Sequence, residues 1–174
     1  MSEKSRFWDK IAQKYARTPV RDEGTYHRKL EMTRGYLRPD MHLLEFGCGT
    51  GTTAIAHAPY VASVTATDIS TEMLAIGREK AAAADITNVT FEVADLGNYQ
   101  AAPASQDVVL ALSLLHLLQD PQAAIRKVSA MLKPGGLFVT STACIAEMGW
   151  LIRLGLPLAR LVGYAPFVNV FRAD

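Results

Sequence analysis

Residues 43–51 read LLEFGCGTG, a short apolar run followed by a glutamate and then by glycines at positions 47, 49 and 51. An apolar run that meets a glycine cluster predicts a buried strand leading into a tight turn. Because glycine has no Cβ, such a turn also lets a ligand approach the backbone closely. Loops of this kind occur in NAD, FAD and nucleotide sites alike, so the loop alone does not identify the ligand.

The segments around this loop alternate between strand and helix patterns. Strands are predicted at 41–46, 61–68, 89–95, the first part of 107–118, and 137–142. Helices are predicted at 5–18, 26–38, 52–57, 71–84 and 121–132, with a KPGG turn at 133–136. Apolar strands alternating with helices are typical of a parallel sheet covered on both faces. We therefore predict an α/β fold, a Rossmann-like doubly wound and mostly parallel sheet, with ligands at the carboxyl ends of its strands.

The spacing and charge of the loop argue against a dinucleotide. A GxGxxG fingerprint that starts at Gly47 needs glycine at position 52, where this chain has Thr52, and no GK[ST] of a P-loop follows. Glu45 stands where its carboxylate would repel a pyrophosphate and attract a cation. S-adenosylmethionine carries an ammonium and a sulfonium but no phosphate, so it suits this loop.

Two aspartates follow the next two predicted strands. Asp68 lies 17 residues beyond Gly51 at the end of the second strand, where it could accept both hydroxyl protons of a ribose. Asp95 ends the third strand, where it could accept from an adenine amino group. Either aspartate alone could be a solvated strand end or a helix cap. Because the two aspartates stand at the ends of successive strands and accompany the glycine loop, the binding interpretation is favoured.

Composition bounds the remaining possibilities. The chain has 174 residues, of which 49% are hydrophobic and 20% charged, as in one soluble globular domain. Its net charge of +1 does not suit a dedicated nucleic-acid binder. Two distant cysteines, Cys48 and Cys144, form neither a disulfide framework nor a metal motif, and Cys48 is interpreted as a small loop residue.

No targeting or membrane segment is expected. The amino terminus lacks the apolar stretch of a secretory signal, and the apolar segment 150–171 is interrupted by Arg153, Pro157 and Arg160. We expect no membrane span, a reduced cytoplasmic location, and no bound metal.

At this point the sequence resembles the class I S-adenosylmethionine-dependent methyltransferases, most of all the small-molecule group that includes the ubiquinone and menaquinone C-methyltransferases. The resemblance covers about residues 5–142. It is carried by LLEFGCGTG at 43–51, VTATD at 64–68, VAD at 93–95, and LLHLLQDPQAAIRKVSAMLKPGG at 114–136.

The resemblance implies a set of residues that contact S-adenosylmethionine. By position these are Tyr15, Glu45, Gly47, Cys48, Gly49, Asp68, Ile69, Asp95, Leu96 and Ser113. It assigns Asp68 to the ribose, Ile69 to an adenine face, and Asp95 with Leu96 to the adenine edge. Tyr15 matches an aromatic residue of an amino-terminal lid, and Tyr26 is a second candidate for that place.

The same resemblance divides one domain, 1–174, into three parts. Residues 1–40 are expected to form a helical lid, 41–142 the cofactor-binding core, and 143–174 a helical segment on the substrate side. Leucines 151, 154, 158 and 161 form an apolar stripe, which suits a core-facing helix, a lid or wall for an apolar acceptor, or a dimer or membrane-surface contact. Family members usually end in an antiparallel strand pair that is missing here. The chain is thus expected either to lack its natural carboxyl terminus or to be short.

The function implied is in-line transfer of a methyl group to a small organic acceptor, catalysed mainly by positioning. His116, which follows the fourth strand, is the candidate general base, although it could instead pack or cap near the next helix. The protein is expected to be a monomer or a homodimer. One alternative function is a non-enzymatic cofactor-binding sensor or partner subunit. Another is an RNA or protein methyltransferase, against which the near-zero charge and the absence of an NPPY-like tetrapeptide both count.

Overall fold

The predicted alternation of strands and helices is present in the structure, a computed structural model that describes residues 3–20 and 22–142. The helices are α1 (Glu3–Arg17), α2 (Glu23–Arg34), α3 (Thr52–His57), α4 (Thr71–Ala83) and α5 (Pro121–Met131). The strands are β1 (His42–Phe46), β2 (Ser63–Asp68), β3 (Val89–Val93), β4 (Gln106–Leu112) and β5 (Leu132–Ser141). Short 3₁₀ turns lie at Ala58–Tyr60 and Leu115–Leu117.

The described strands form one parallel sheet in the order β3-β2-β1-β4-β5. The chain builds outward from β1 through β2 to β3 and then returns to the other side of β1 as β4. In a sheet of this kind, the point where the strand order reverses opens a crevice at the carboxyl ends of the strands. The Rossmann-like, doubly wound fold predicted from the sequence is confirmed, and its switch point lies between β1 and β4.

Helices cover both faces of the sheet because successive side chains of each strand point to opposite faces. On one face, Leu43 of β1 packs in a cluster with Ala54 of α3 and Leu74 of α4. On the other face, Leu44 of β1 packs with Val128 of α5. All five of these side chains are almost completely buried. This two-sided burial explains why the strands are apolar nearly throughout.

Phe91 of β3 packs against two glycines. A Cβ added to Gly51, which precedes α3, would lie 2.6 Å from Phe91 Cε1. A Cβ added to Gly77 of α4 would lie 2.7 Å from the same atom. Both distances are too short for real carbon–carbon contacts, so both positions require glycine while the ring is present.

The structure moves some predicted boundaries. Helix α2 begins earlier than predicted because Asp22 caps it by accepting the Thr25 N–H at 2.9 Å, and it ends at Arg34 rather than near 38. The predicted KPGG turn instead lies within β5, where the register with β4 shifts between Gln106 and Val108.

The expected substrate-side segment at 143–174, its leucine stripe, Cys144 and any strand pair lie outside the described residues. Within the described part of the chain, no helix is both long enough and apolar enough to cross a bilayer. No group of three or more His, Cys, Asp or Glu side chains in that part could hold a metal ion.

Candidate functional site

The glycine loop follows β1 at the switch point of the sheet. Gly47, Gly49 and Gly51 have φ angles of 66°, 55° and 73°, in the left-handed region that favours glycine. The Cys48 N–H donates to the Thr67 carbonyl at 2.9 Å, which ties the loop to β2. A Cβ on Gly47 would lie 3.0 Å from the Leu114 side chain. The loop therefore presents backbone rather than side chains to its surroundings.

Asp68 ends β2 and is held by backbone groups of two different loops. Its Oδ2 accepts the Gly49 N–H at 2.9 Å, and its Oδ1 accepts the Ser70 N–H at 2.9 Å. Burial raises the pKa of Asp68, while hydrogen bonds from Ser70, Gly49 and Ile69 oppose that rise. Each carboxylate oxygen can accept more than one hydrogen bond, so Asp68 can also receive hydroxyl donors.

Asp95 follows β3 and forms a turn that lies beside α5. Its Oδ1 accepts the Gly97 N–H at 2.7 Å, and the Lys127 ammonium donates to the Gly97 carbonyl at 2.6 Å. The neighbouring Leu96 is buried with Val128 and Met131 of α5. The Asp95–Leu96 segment is thus anchored on one side by a turn and on the other by the core.

These elements line one cleft that is partly open to solvent. Eight of the residues named from the sequence line it, namely Tyr15, Gly47, Gly49, Asp68, Ile69, Asp95, Leu96 and Ser113. Among the lining residues in the described part of the chain, Lys4 is the one basic residue, and its side chain is exposed. The cleft is otherwise apolar and acidic, which disfavours a diphosphate.

Ser113 occupies an unusual backbone conformation at the end of β4. Its φ angle is 53°, which a residue with a Cβ rarely adopts. Its N–H donates to the Ser141 carbonyl of β5 at 2.8 Å, so the neighbouring strand holds it there. Strained residues of this kind cluster at ligand sites, and Ser113 lies in the cleft wall.

Glu45 does not line the cleft; it lies buried beneath the glycine loop, with 3% of its surface exposed. Its Oε2 has no hydrogen-bond partner among the described residues. Burial, together with the nearby carboxylate of Asp68, raises the pKa of Glu45 from 4.5 to about 8. A buried carboxyl group without a partner is costly, and a cation bound nearby would stabilise its charged form.

Cys48 and His116 also lie outside the cleft lining. Cys48 is buried, and burial raises the pKa of its thiol, which leaves it protonated and unreactive. His116 lies half-buried in the 3₁₀ turn, its Nδ1 has no partner among the described residues, and burial lowers its pKa. The neighbouring Leu117 lines the cleft instead.

Of the two tyrosines that the resemblance suggests for a lid, Tyr15 lines the cleft and Tyr26 does not. Its ring lies beside the loop, 3.7 Å from where a Cβ on Gly49 would stand. The Tyr26 hydroxyl lies 3.3 Å from Thr53 Oγ1 of α3. Burial raises the pKa of both tyrosines.

Sequence reasoning missed several residues of the cleft wall. These are Lys4, Trp8, Met73, Ala94, Leu112, Leu114, Leu117 and Leu118. Lys4, Trp8 and Tyr15 fall at helical spacing along one face of α1, a signal that could have found the first two. Leu112 ends β4, and the other three leucines follow it within an apolar run in which no simple period indicates which side chains face the cleft.

The fold and the cleft define the class of Rossmann-like α/β proteins that bind a ligand at the sheet's switch point. A family profile described as "Methyltransferase domain" matches residues 43–136, which is more than half of the chain. The chain therefore belongs to the methyltransferase domain family, and the resemblance to the class I S-adenosylmethionine-dependent methyltransferases is confirmed.

Individual relatives agree with this assignment. The chain is 33% identical over 105 residues to a ubiquinone biosynthesis O-methyltransferase from Xanthomonas campestris pv. campestris, covering 60% of this chain and 44% of that protein. It thus spans less than half the length of this relative.

Solved structures show the same fold. An S-adenosylmethionine-dependent methyltransferase from Mesorhizobium loti matches 70% of this chain and 54% of its own at 31% identity, with a TM-score of 0.61. The YcgJ protein from Bacillus subtilis matches 83% of this chain and 63% of its own at 24% identity, with a TM-score of 0.70.

Proposed function

We propose that this protein binds S-adenosylmethionine in the cleft and transfers its methyl group to a small organic acceptor. One observation carries the proposal: Asp68 and Asp95, from the ends of successive strands, line one cleft with a glycine loop that has no basic side chain. Family membership supports the same cofactor. The buried thiol of Cys48 is in keeping with a reduced cytoplasm, where we place the protein.

The residues present fit this cofactor. Asp68 offers acceptor oxygens to a ribose, and Ile69 and Leu96 offer apolar contact to an adenine. Oε2 of the buried Glu45 carboxyl has no hydrogen-bond partner in the described part of the chain, and a nearby cation would stabilise the charged form of the group. Gly47 and Gly49 line the cleft without a side chain, so a ligand can approach the backbone there.

When bound, S-adenosylmethionine supplies a methyl group already activated for displacement. The protein's contribution is then to orient the acceptor in line with that methyl group and to exclude water. Orientation of this kind lowers barriers by about 7–11 kcal/mol in favourable cases. Trp8, Leu114 and Leu117 form apolar parts of the cleft wall and are suited to excluding water.

A general base is needed only for an acceptor that must lose a proton, and His116 is the residue we propose for that role. Its lowered pKa keeps the ring neutral near pH 7, the state in which it can accept a proton. Because the Xanthomonas relative is named as an O-methyltransferase of ubiquinone biosynthesis, phenolic hydroxyls are the first acceptors to try.

Calorimetric titration of the full chain tests the cofactor. S-adenosylmethionine and S-adenosylhomocysteine should bind, whereas NAD⁺ and ADP should not. No binding of S-adenosylhomocysteine, or stronger binding of ADP, would overturn the proposal. Release of S-adenosylhomocysteine in the presence of phenolic, amine or carbon acceptors then separates an enzyme from a binding subunit that lacks turnover.

A further inference from the structure

Helix α1 carries two adjacent stripes of side chains, one towards the cleft and one towards α4, and Trp8 contacts both the cleft and the α4 cluster. Lys4, Trp8 and Tyr15 line the cleft. On the other stripe, Ala12 is buried against Met73 and Ile76 of α4. Asp9 lies one helical turn before Ala12 and so faces α4 as well.

Asp9 makes the polar contact of this second stripe. Its Oδ1 accepts the Ser70 hydroxyl at 2.7 Å and the Glu72 N–H at 3.2 Å. Ser70 is itself the amino-terminal cap of α4, since its Oγ accepts the Met73 N–H at 3.1 Å. The start of α4 is therefore completed by a carboxylate that α1 supplies, at the end of the helix where a negative charge is stabilising.

The contact continues into the cleft through the backbone of Ser70. The Ser70 N–H donates to Asp68 Oδ1 at 2.9 Å, while the Ser70 hydroxyl donates to Asp9. One completely buried serine thus joins the aspartate of α1 to the aspartate that lines the cleft. Ile69, which stands between Asp68 and Ser70 in the sequence, also lines the cleft.

We infer that Asp9 is a positioning residue that docks α1 on α4 and thereby sets both the outer wall of the cleft and the orientation of Asp68. The apolar contact of α1 with α4 joins Ala12 to Met73 and Ile76, with Trp8, Ile11 and Ala16 packed around them. Apolar contact is non-directional, whereas the two hydrogen bonds to one carboxylate oxygen are directional and favour one position of the helix. Trp8 and Tyr15 then occupy the cleft because Asp9 holds the helix. The effect on ligand binding rests on the proposed function.

The substitutions Asp9→Ala and Asp9→Asn separate this role from general stability. Asparagine keeps an oxygen that can accept both hydrogen bonds, but alanine does not. Asp22→Ala is the matched control, because Asp22 also accepts a backbone N–H at a helix start but lies outside the cleft. Ser70→Ala removes the hydroxyl donor from the other side.

Two readouts follow these variants. Trp8 and Trp150 are the two tryptophans of the chain, so a Trp150→Phe background makes Trp8 emission a reporter of where α1 lies. Asp9→Ala should shift that emission to the red and weaken S-adenosylhomocysteine binding about tenfold. Asp9→Asn should stay within about threefold of the parent protein. Asp9→Ala combined with Ser70→Ala should lose little beyond the larger single effect, because both remove one interaction.

The inference fails if the parent binds S-adenosylhomocysteine and Asp9→Ala matches Asp22→Ala in both affinity and Trp8 emission. It fails equally if Asp9→Asn is as damaging as Asp9→Ala, since charge alone would then explain the effect. If the parent does not bind S-adenosylhomocysteine, the proposed function is rejected. An emission shift specific to Asp9→Ala would then still support the docking role.

Discussion

Glu45→Gln tests whether the carboxyl group beneath the glycine loop is held in its neutral form. Glu45 is 3% exposed, and burial is the main cause of its raised pKa, with the Asp68 carboxylate adding to it. Glutamine has nearly the same shape but cannot ionise. Replacing the carboxyl group therefore removes the cost of burying its charge and leaves the packing almost unchanged.

The sign and size follow from the two pKa values. The unfolded chain releases this proton near pH 4.5, but the folded protein holds it to about pH 8. The stability that the protonated group contributes is complete below pH 4.5 and is lost as the pH rises through 8. At about 1.4 kcal/mol per pH unit, the loss approaches 5 kcal/mol. Glu45→Gln should therefore be increasingly more stable than the parent from pH 5 to pH 8.5, by about 2–5 kcal/mol at the upper end.

Urea unfolding of the ligand-free protein at a series of pH values measures this difference. The exposed Glu92 of β3 provides the control, because Glu92→Gln makes the same chemical change at a side chain that is not buried. A constant offset between Glu45→Gln and the parent across this range would refute the reasoning. Such a result would mean that Glu45 is ionised in the folded protein throughout.

Three further predictions concern other sites. Burial lowers the pKa of His57 to about 4 from 6.5, with Arg34 adding to the effect, so the stability of the neutral ring is lost as the pH falls from 6.5 to 4. His57→Leu should remove about 2 kcal/mol of that acid sensitivity, measured by urea unfolding at pH 7 and pH 4.5. Gly77→Ala should destabilise by about 1–3 kcal/mol in the same assay, despite the helix propensity of alanine, because the added methyl meets Phe91. Asp68→Ala should weaken S-adenosylhomocysteine binding about 10–100-fold in calorimetry, because it removes acceptors for the ribose.

Each of these has a contrary outcome. Parallel pH profiles for His57→Leu and the parent would contradict the buried neutral ring. A stabilised Gly77→Ala would show that Phe91 can move aside, and Phe91→Leu in the same chain should otherwise relieve the clash. An unchanged affinity in Asp68→Ala would remove the ribose assignment, and an equal loss in the exposed Glu92→Gln would show that the effect is not local.

Much of the fold could be predicted from the sequence because its pattern is local. Apolar runs ending in LLEFGCGTG and VTATD identify strands whose carboxyl ends meet at one edge of a parallel sheet. Because both aspartates follow such strands, the sequence alone places Asp68 and Asp95 at one cleft. The boundaries of α2 were less predictable, because the Asp22 side chain caps the helix ahead of the predicted start at residue 26.

What could not be predicted depends on contacts between distant parts of the chain. Asp9 and Ser70 are 61 residues apart, and neither spacing nor composition indicates that they meet. The burial of the Glu45 side chain could not be predicted from the sequence either. A glutamate at a strand end usually projects into solvent, but here the loop folds over it.

Phe91 gives the outer strand of the sheet an influence on the cleft that its position would not suggest. Its ring supports Gly51 from behind, at the end of the loop whose front faces the ligand site. Damage to β3 should consequently appear as poorer ligand affinity and not only as a lower melting temperature. A screen that scores binding alone would then attribute to the cleft a defect that begins one strand beyond it.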